Sequence, residues 1–198
     1  MKRTISLVLA MGASALVLSA FSIGGAQPLT RSTQSAKIQG TSDCTEFSRS
    51  HPGASVTASA RYVMVSIAGP NEAMYTMAQA RKLHPKTGEI MVSGQMMGKG
   101  GSSMSMGSTS VMRHIEVHIC SKATGKAVVG AHPAMNLRDL SRESRWAIVR
   151  VAEMQGLNRD PADTHYGNNV TVIPGHRYLL QTIINGQTGM FRFVAPKA

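Results

Sequence analysis

The chain has 198 residues, a formal charge of +11, two cysteines and only ten acidic side chains. Its basic residues are scattered, without a Lys/Arg run and with few aromatics, which argues against a nucleic-acid module. No Ser-His-Asp arrangement, phosphate loop or blue-copper set of His, Cys, His and Met stands out, which argues against an enzyme.

Residues 1–26, "MKRTISLVLAMGASALVLSAFSIGGA", carry a basic start, an apolar run and small residues at the end. That is the layout of a secretory signal peptide, with an uncleaved anchor as the competing reading. The polar residues that follow favour cleavage and a soluble periplasmic or secreted protein. Residues 27–59 are rich in Ser, Thr, Gln and Gly without a period, and read as a flexible arm. Cys44 lies in that arm and Cys120 further on; in an exported protein the pair is expected to form a disulfide, with two free or metal-binding thiols as the alternative.

The remainder, 60–198, reads as one β-sandwich domain. "ARYVMVSIAG" (60–69) alternates as a strand. Residues 70–85 suit a short helix, opened by Pro70 or Asn71 and stopped by Pro85. "GEIMVSG" is a strand, and 95–112 is a Gly/Ser loop loaded with methionine. Then "RHIEVHIC" (113–120) alternates without a break: Ile115, Val117 and Ile119 on one side, His114, Glu116 and His118 on the other. The odd residues suit a core, and the even ones then share a single exposed face.

Further on, "AVVGAHPAMNL" is a weaker strand interrupted by Pro133, and "RWAIVRVAEM" (145–154) suits a strand or a helical turn, with its β-branched content favouring a strand. "RDPADTHYGNN" (159–169) reads as a loop with His165 at its tip. "VTVI" is a strand, and two more flank Asn185-Gly186, a strong hairpin signal. About seven or eight short strands with little helix predict an all-β fold, an antiparallel immunoglobulin-like β-sandwich.

Two imidazoles and a carboxylate on one strand face can ligate a metal, and can equally be the polar side of an amphipathic strand. Met91, Met96, Met97, Met104, Met106 and Met112 crowd the stretch before that strand. Thioethers are soft ligands that select Cu(I), imidazole suits copper, zinc and iron, and carboxylate prefers harder ions. The mixed set points to copper first, with Fe2+, Mn2+ or Zn2+ as the other candidates. A secreted immunoglobulin-like structural or adhesion module without metal is the competing class.

"HIEVHI", followed by "MQGLNRDPADTHYGNNV" and a closing hairpin, resembles the bacterial periplasmic Fe2+ transport accessory family, over roughly residues 60–194. The resemblance implies an immunoglobulin-like sandwich that binds copper and works beside an envelope iron permease in metal uptake or buffering, in a family whose members often form homodimers. It implies His114 and Glu116 as the H-x-E ligand pair, His165 as the loop histidine and Met154 as the nearest match to the family's methionine, at a longer spacing from His165. The family's late histidine has no firm counterpart; His118, His176 or a loop methionine is left to stand in for it.

Overall fold

The computed structural model describes residues 42–95, 110–157, 159 and 161–196. The segment read as a signal peptide, the first part of the segment read as an arm and most of the methionine-rich loop lie outside the described residues. No described helix is long and apolar enough to cross a membrane.

The described chain is mostly β, in two sheets. In chain order the elements are α1 (Asp43–Ser50), β1 (Ser55–Ala58), β2 (Tyr62–Pro70), β3 (Met74–Thr76), α2 (Met77–Leu83), β4 (Glu89–Gly94), β5 (Val111–Ser121), β6 (Ala134–Asp139), β7 (Ala147–Val149), β8 (Ala152–Gly156), a 3-10 turn (Pro161–Asp163), β9 (His165–Val172), β10 (Arg177–Ile184) and β11 (Gln187–Val194). One sheet has the order β1-β2-β5-β9-β8-β4-β3, the other β11-β10-β6-β7. All pairings are antiparallel except β3 with β4.

The core lies between the sheets. Ile115, Val117 and Ile119 of β5, with Met64, Tyr166, Val170 and Val172, pack against Met135, Leu137, Tyr178, Leu180 and Phe191 of the smaller sheet. Each such fully buried side chain contributes about 1.5–3 kcal/mol relative to exposure. The odd face of "RHIEVHIC" is therefore core, as its alternation predicts.

Its even face is not exposed. His114 and His118 are 3% and 2% accessible. Two features cover them. The first is α1, which forms within the segment read as a flexible arm; the arm reading fails for 43–50 and for β1. Ser42 caps the helix by accepting from the Thr45 N–H. The Cys44–Cys120 disulfide then fastens it to β5, over a small cluster that includes Val65 and Phe47.

The second feature is the curl of the larger sheet. β2 and β3 are five strand spacings apart, about 24 Å in a flat sheet. Yet only residues 71–73 join them, a link of at most about 14 Å. The sheet must curl until its β4–β3 end folds back over the face of β5. Gly88, at φ 107°, allows the close approach: a Cβ there would collide with the Ala73 carbonyl oxygen, which accepts from the Glu89 N–H at 2.9 Å.

Several boundaries differ from the sequence reading. Helix α2 starts at a Thr76–Gln79 capping box, not at Pro70 or Asn71. The stretch 145–154 is not one strand: it divides into β7 and β8, which belong to different sheets. Residues 127–133 make only an isolated bridge, from Ala127 to Cys120, so the strand there starts after Pro133. The described residues form eleven strands, and short edge strands such as β1, β3 and β7 carry too little periodicity to be read. The hairpin is as predicted, with Asn185 and Gly186 at φ 46° and 72°.

Candidate metal centre

Four side chains meet on the covered face of the larger sheet: Glu89 of β4, His114 and Glu116 of β5, and His165 of β9. One ligand atom from each lies within 4.8 Å of the others. His165 Nε2 is 3.0 Å from Glu89 Oε1 and 3.4 Å from Glu116 Oε2. His114 Nε2 is 3.4 Å from Glu89 Oε2 and 3.7 Å from Glu116 Oε2. Despite these approaches, His114 Nε2, His165 Nε2 and Glu89 Oε2 are buried without a hydrogen-bond partner. Their side chains meet in one buried cluster.

The sheet register builds this arrangement. β9 runs antiparallel to β5 with Glu116 opposite Gly167 and His114 opposite Asn169. Gly167 is needed there. A Cβ would collide with the Ile115 carbonyl oxygen and stand 2.9 Å from Glu116 Cα. Two residues before Gly167, on the same face, stands His165. It is the first residue of a strand and 2% exposed, not the tip of an exposed loop. The loop ends one residue earlier, at Thr164.

Both imidazoles are oriented from behind. His114 Nδ1 faces Asn169 Oδ1 at 3.1 Å, and His165 Nδ1 faces the Asp163 carbonyl oxygen at 2.9 Å. The Asn169 amide is itself fixed, since its Nδ2 donates to the Glu72 carbonyl and its Oδ1 accepts from the Glu72 N–H. An oxygen acceptor at Nδ1 places the proton there and leaves Nε2 free to ligate.

The electrostatics suit a cation site. Burial pushes His165 down, but Glu89 at 3.0 Å and the charge of Glu116 outweigh it and lift its pKa to about 9. Burial likewise pushes Glu116 up, but the contact with His118 and the fields of His165, His118 and His114 hold it at about 2. Two buried carboxylates are thus balanced by a proton on a histidine, and a divalent ion can replace that proton. Burial lowers His118 below its ordinary value, against the pull of Glu116.

An open cleft of ≈ 1000 Å³ leads in from solvent, reaching Glu89, Glu116, His118 and His165. Its walls carry Asp43, Glu46, Glu72, Glu89, Glu116 and Asp163, six of the ten acidic residues in a chain of net charge +11, against Lys86 and Arg159. Burial, then the charge of Glu89, raises the Glu72 carboxyl. Concentrating negative charge in one concavity of a basic protein draws cations to that spot.

Of the residues marked in the sequence, His114, Glu116 and His165 come together. Met154 stands next to them: fully buried, directly opposite His165 across the β8–β9 pair and opposite Met91 across β4–β8. His118 lies beside the four donors and outside their cluster, with Nε2 3.8 Å from Glu116 Oε1. His176 is engaged elsewhere, with Nδ1 2.8 Å from Asp139 Oδ2, so it does not stand in for the late histidine. Of the methionine-rich segment only Met91 and Met112 are described, and Met112 is exposed.

Glu89 escaped the sequence reading. It opens an apolar strand, where a carboxylate that ends up buried is unusual, and that was its one available signal. Tyr166, in the same "THYGNNV" motif, faces the other way. Its hydroxyl donates to the Val128 carbonyl at 2.6 Å and accepts from the Ala131 N–H, and burial pushes its pKa up to about 12. Its role is to hold the 128–131 segment.

Comparison with protein-family models, with curated proteins and with solved structures returns no match for this chain.

Proposed function

We infer that this chain binds a divalent first-row metal ion through His114, His165, Glu89 and Glu116. The observation that carries the reading is the convergence of buried, unpartnered donor atoms from three strands. An orphaned buried polar atom costs about 1–3 kcal/mol, and three of them facing one point are hard to account for in a ligand-free module. Two imidazoles and two carboxylates neutralise an M2+ ion and suit Fe2+, Mn2+, Zn2+ or Cu2+ better than Cu+. Met154 supplies a soft neighbour, which keeps copper among the candidates. Binding, rather than catalysis, is the role: transport or buffering of the ion outside the cytoplasm, in support of an envelope permease as the family resemblance implies.

The strand order supports the immunoglobulin-like reading behind that resemblance. β2-β5-β9-β8 and β11-β10-β6-β7 follow the orders A-B-E-D and G-F-C-C′ of such sandwiches. Tyr178, at the start of the strand corresponding to F, accepts from the Ile173 N–H at 2.9 Å in the manner of a tyrosine corner.

The test is metal content and thermal shift on chelator-treated protein, titrated with Fe(II), Mn(II), Zn(II), Cu(I) and Cu(II). Metal-dependent stabilisation should disappear in the His114→Ala/His165→Ala double variant. No binding by the wild type, or equal binding by the variant, removes the metal reading and leaves the structural module.

A further inference from the structure

We propose that His118 Nε2 and Glu116 Oε1 form a second divalent-cation position beside the four-residue centre, with the Glu116 carboxylate bridging the two ions. This rests on the metal-binding reading of the four-residue centre and adds a site to it.

The two oxygens of Glu116 face different partners. Oε2 is turned to His114 and His165, at 3.7 and 3.4 Å. Oε1 is turned to His118, at 3.8 Å. His118 Nε2 is buried and has no hydrogen-bond partner, in a residue 2% exposed. It is aimed into the same polar space as the other donors, yet stands outside their cluster. One ion therefore does not gather all five donors at ligand distances. A bridging carboxylate resolves this, since two-metal sites place ions about 3.5–4 Å apart and share such a ligand.

The surroundings suit a second cation. His118 lines the cleft, whereas His114 does not. The Asp163 carboxylate also lines the cleft and lies near enough to act on a charge at His118, while its Oδ2 accepts from the Gly156 N–H. Phe47 stacks on the His118 ring, with centroids 3.4 Å apart and planes at 28°. The stack holds the ring by its face and leaves the Nε2 edge directed at Glu116. Cys44, one helical turn before Phe47, fastens this cover to Cys120, two residues after His118.

The experiment titrates the full chain, freed of metal, with Zn(II) by calorimetry and with Cu(II) by electron paramagnetic resonance. The variants are His118→Phe, which keeps a ring for Phe47 to stack on, His118→Gln, and His114→Ala/His165→Ala, each checked for folding by thermal melting. Wild type should take two ions, the second at least tenfold weaker, with dipolar broadening at two equivalents of Cu(II). Both His118 variants should take one ion at unchanged affinity and show no broadening. One ion in wild type and in the His118 variants at equal affinity overturns the second position alone. Weaker binding of a single ion in the His118 variants makes His118 a ligand of the first site and also overturns it. No ion in wild type overturns the metal reading itself, and this inference with it.

Discussion

His114 and Asn169 face each other across the β5–β9 pair, with Nδ1 and Oδ1 3.1 Å apart. The same Asn169 brackets the backbone of Glu72 with two hydrogen bonds. One amide thus ties together the ligand strand, the strand beside it and the short link that closes the curl.

Removing that amide should loosen the ion without removing a ligand. In Asn169→Ala, His114 loses the acceptor that keeps its proton on Nδ1, and metal affinity should fall about 10- to 100-fold. Calorimetric titration of Zn(II) reads this directly. Unchanged affinity would mean that the strand alone orients His114.

pH should act on the empty protein and on metal binding in opposite directions. His165 titrates at about 9 in the fold against an ordinary 6.5. Its contribution to stability is full below about pH 6.5 and is lost as pH rises through 9. Glu116 sits at about 2 against 4.5, so its contribution is full above 4.5 and lost as pH falls through 2. These two groups place the best stability of the metal-free protein between about pH 4.5 and 6.5. An ion must expel the His165 proton, so its affinity should rise about tenfold per pH unit up to about pH 9 and then level off. Melting curves on chelated protein and titrations at pH 6, 7 and 8 check both halves. An affinity flat over that range would show that His165 holds no proton in the empty site.

The disulfide closes a loop with a sequence separation of 76. Cys44→Ser/Cys120→Ser should cost about 2–5 kcal/mol of stability, and reductant should do the same to the wild type. Phe47 loses its tether in either case, so protection of the His118 backbone amide against hydrogen exchange should fall. A variant as stable as wild type would mean that α1 is held by packing and by the Asp43 bonds to Ala127 and Lys126.

Gly167→Ala should damage fold and site together. The added methyl meets the Ile115 carbonyl and the Glu116 backbone, and forcing β5 and β9 apart costs about 1–3 kcal/mol or more. Because the shift falls between Glu116 and His165, metal binding should be lost even where the variant remains folded. Thermal melting and metal titration on one preparation separate the two effects.

Much of this protein was legible in the linear chain. The period-two alternation of β5 placed Ile115, Val117 and Ile119 in the core, and Asn185-Gly186 marked the last hairpin, because both signals are local. His114, Glu116 and His165 stood out as residue types that a surface seldom needs in that order. The cysteine pair suggested a disulfide through the export that residues 1–26 predict. What remained hidden depends on approaches between distant segments. Glu89 becomes a donor only because three linking residues force the seven-stranded sheet to curl. The even face of β5 is buried only because the curled sheet edge and the disulfide-fastened α1 both close over it. His165 is a buried strand residue rather than a loop tip because it pairs with Met154 of β8. Local periodicity reports which way a side chain points from its own strand; what covers that face is decided by chain closure and cross-linking, which sequence spacing does not encode.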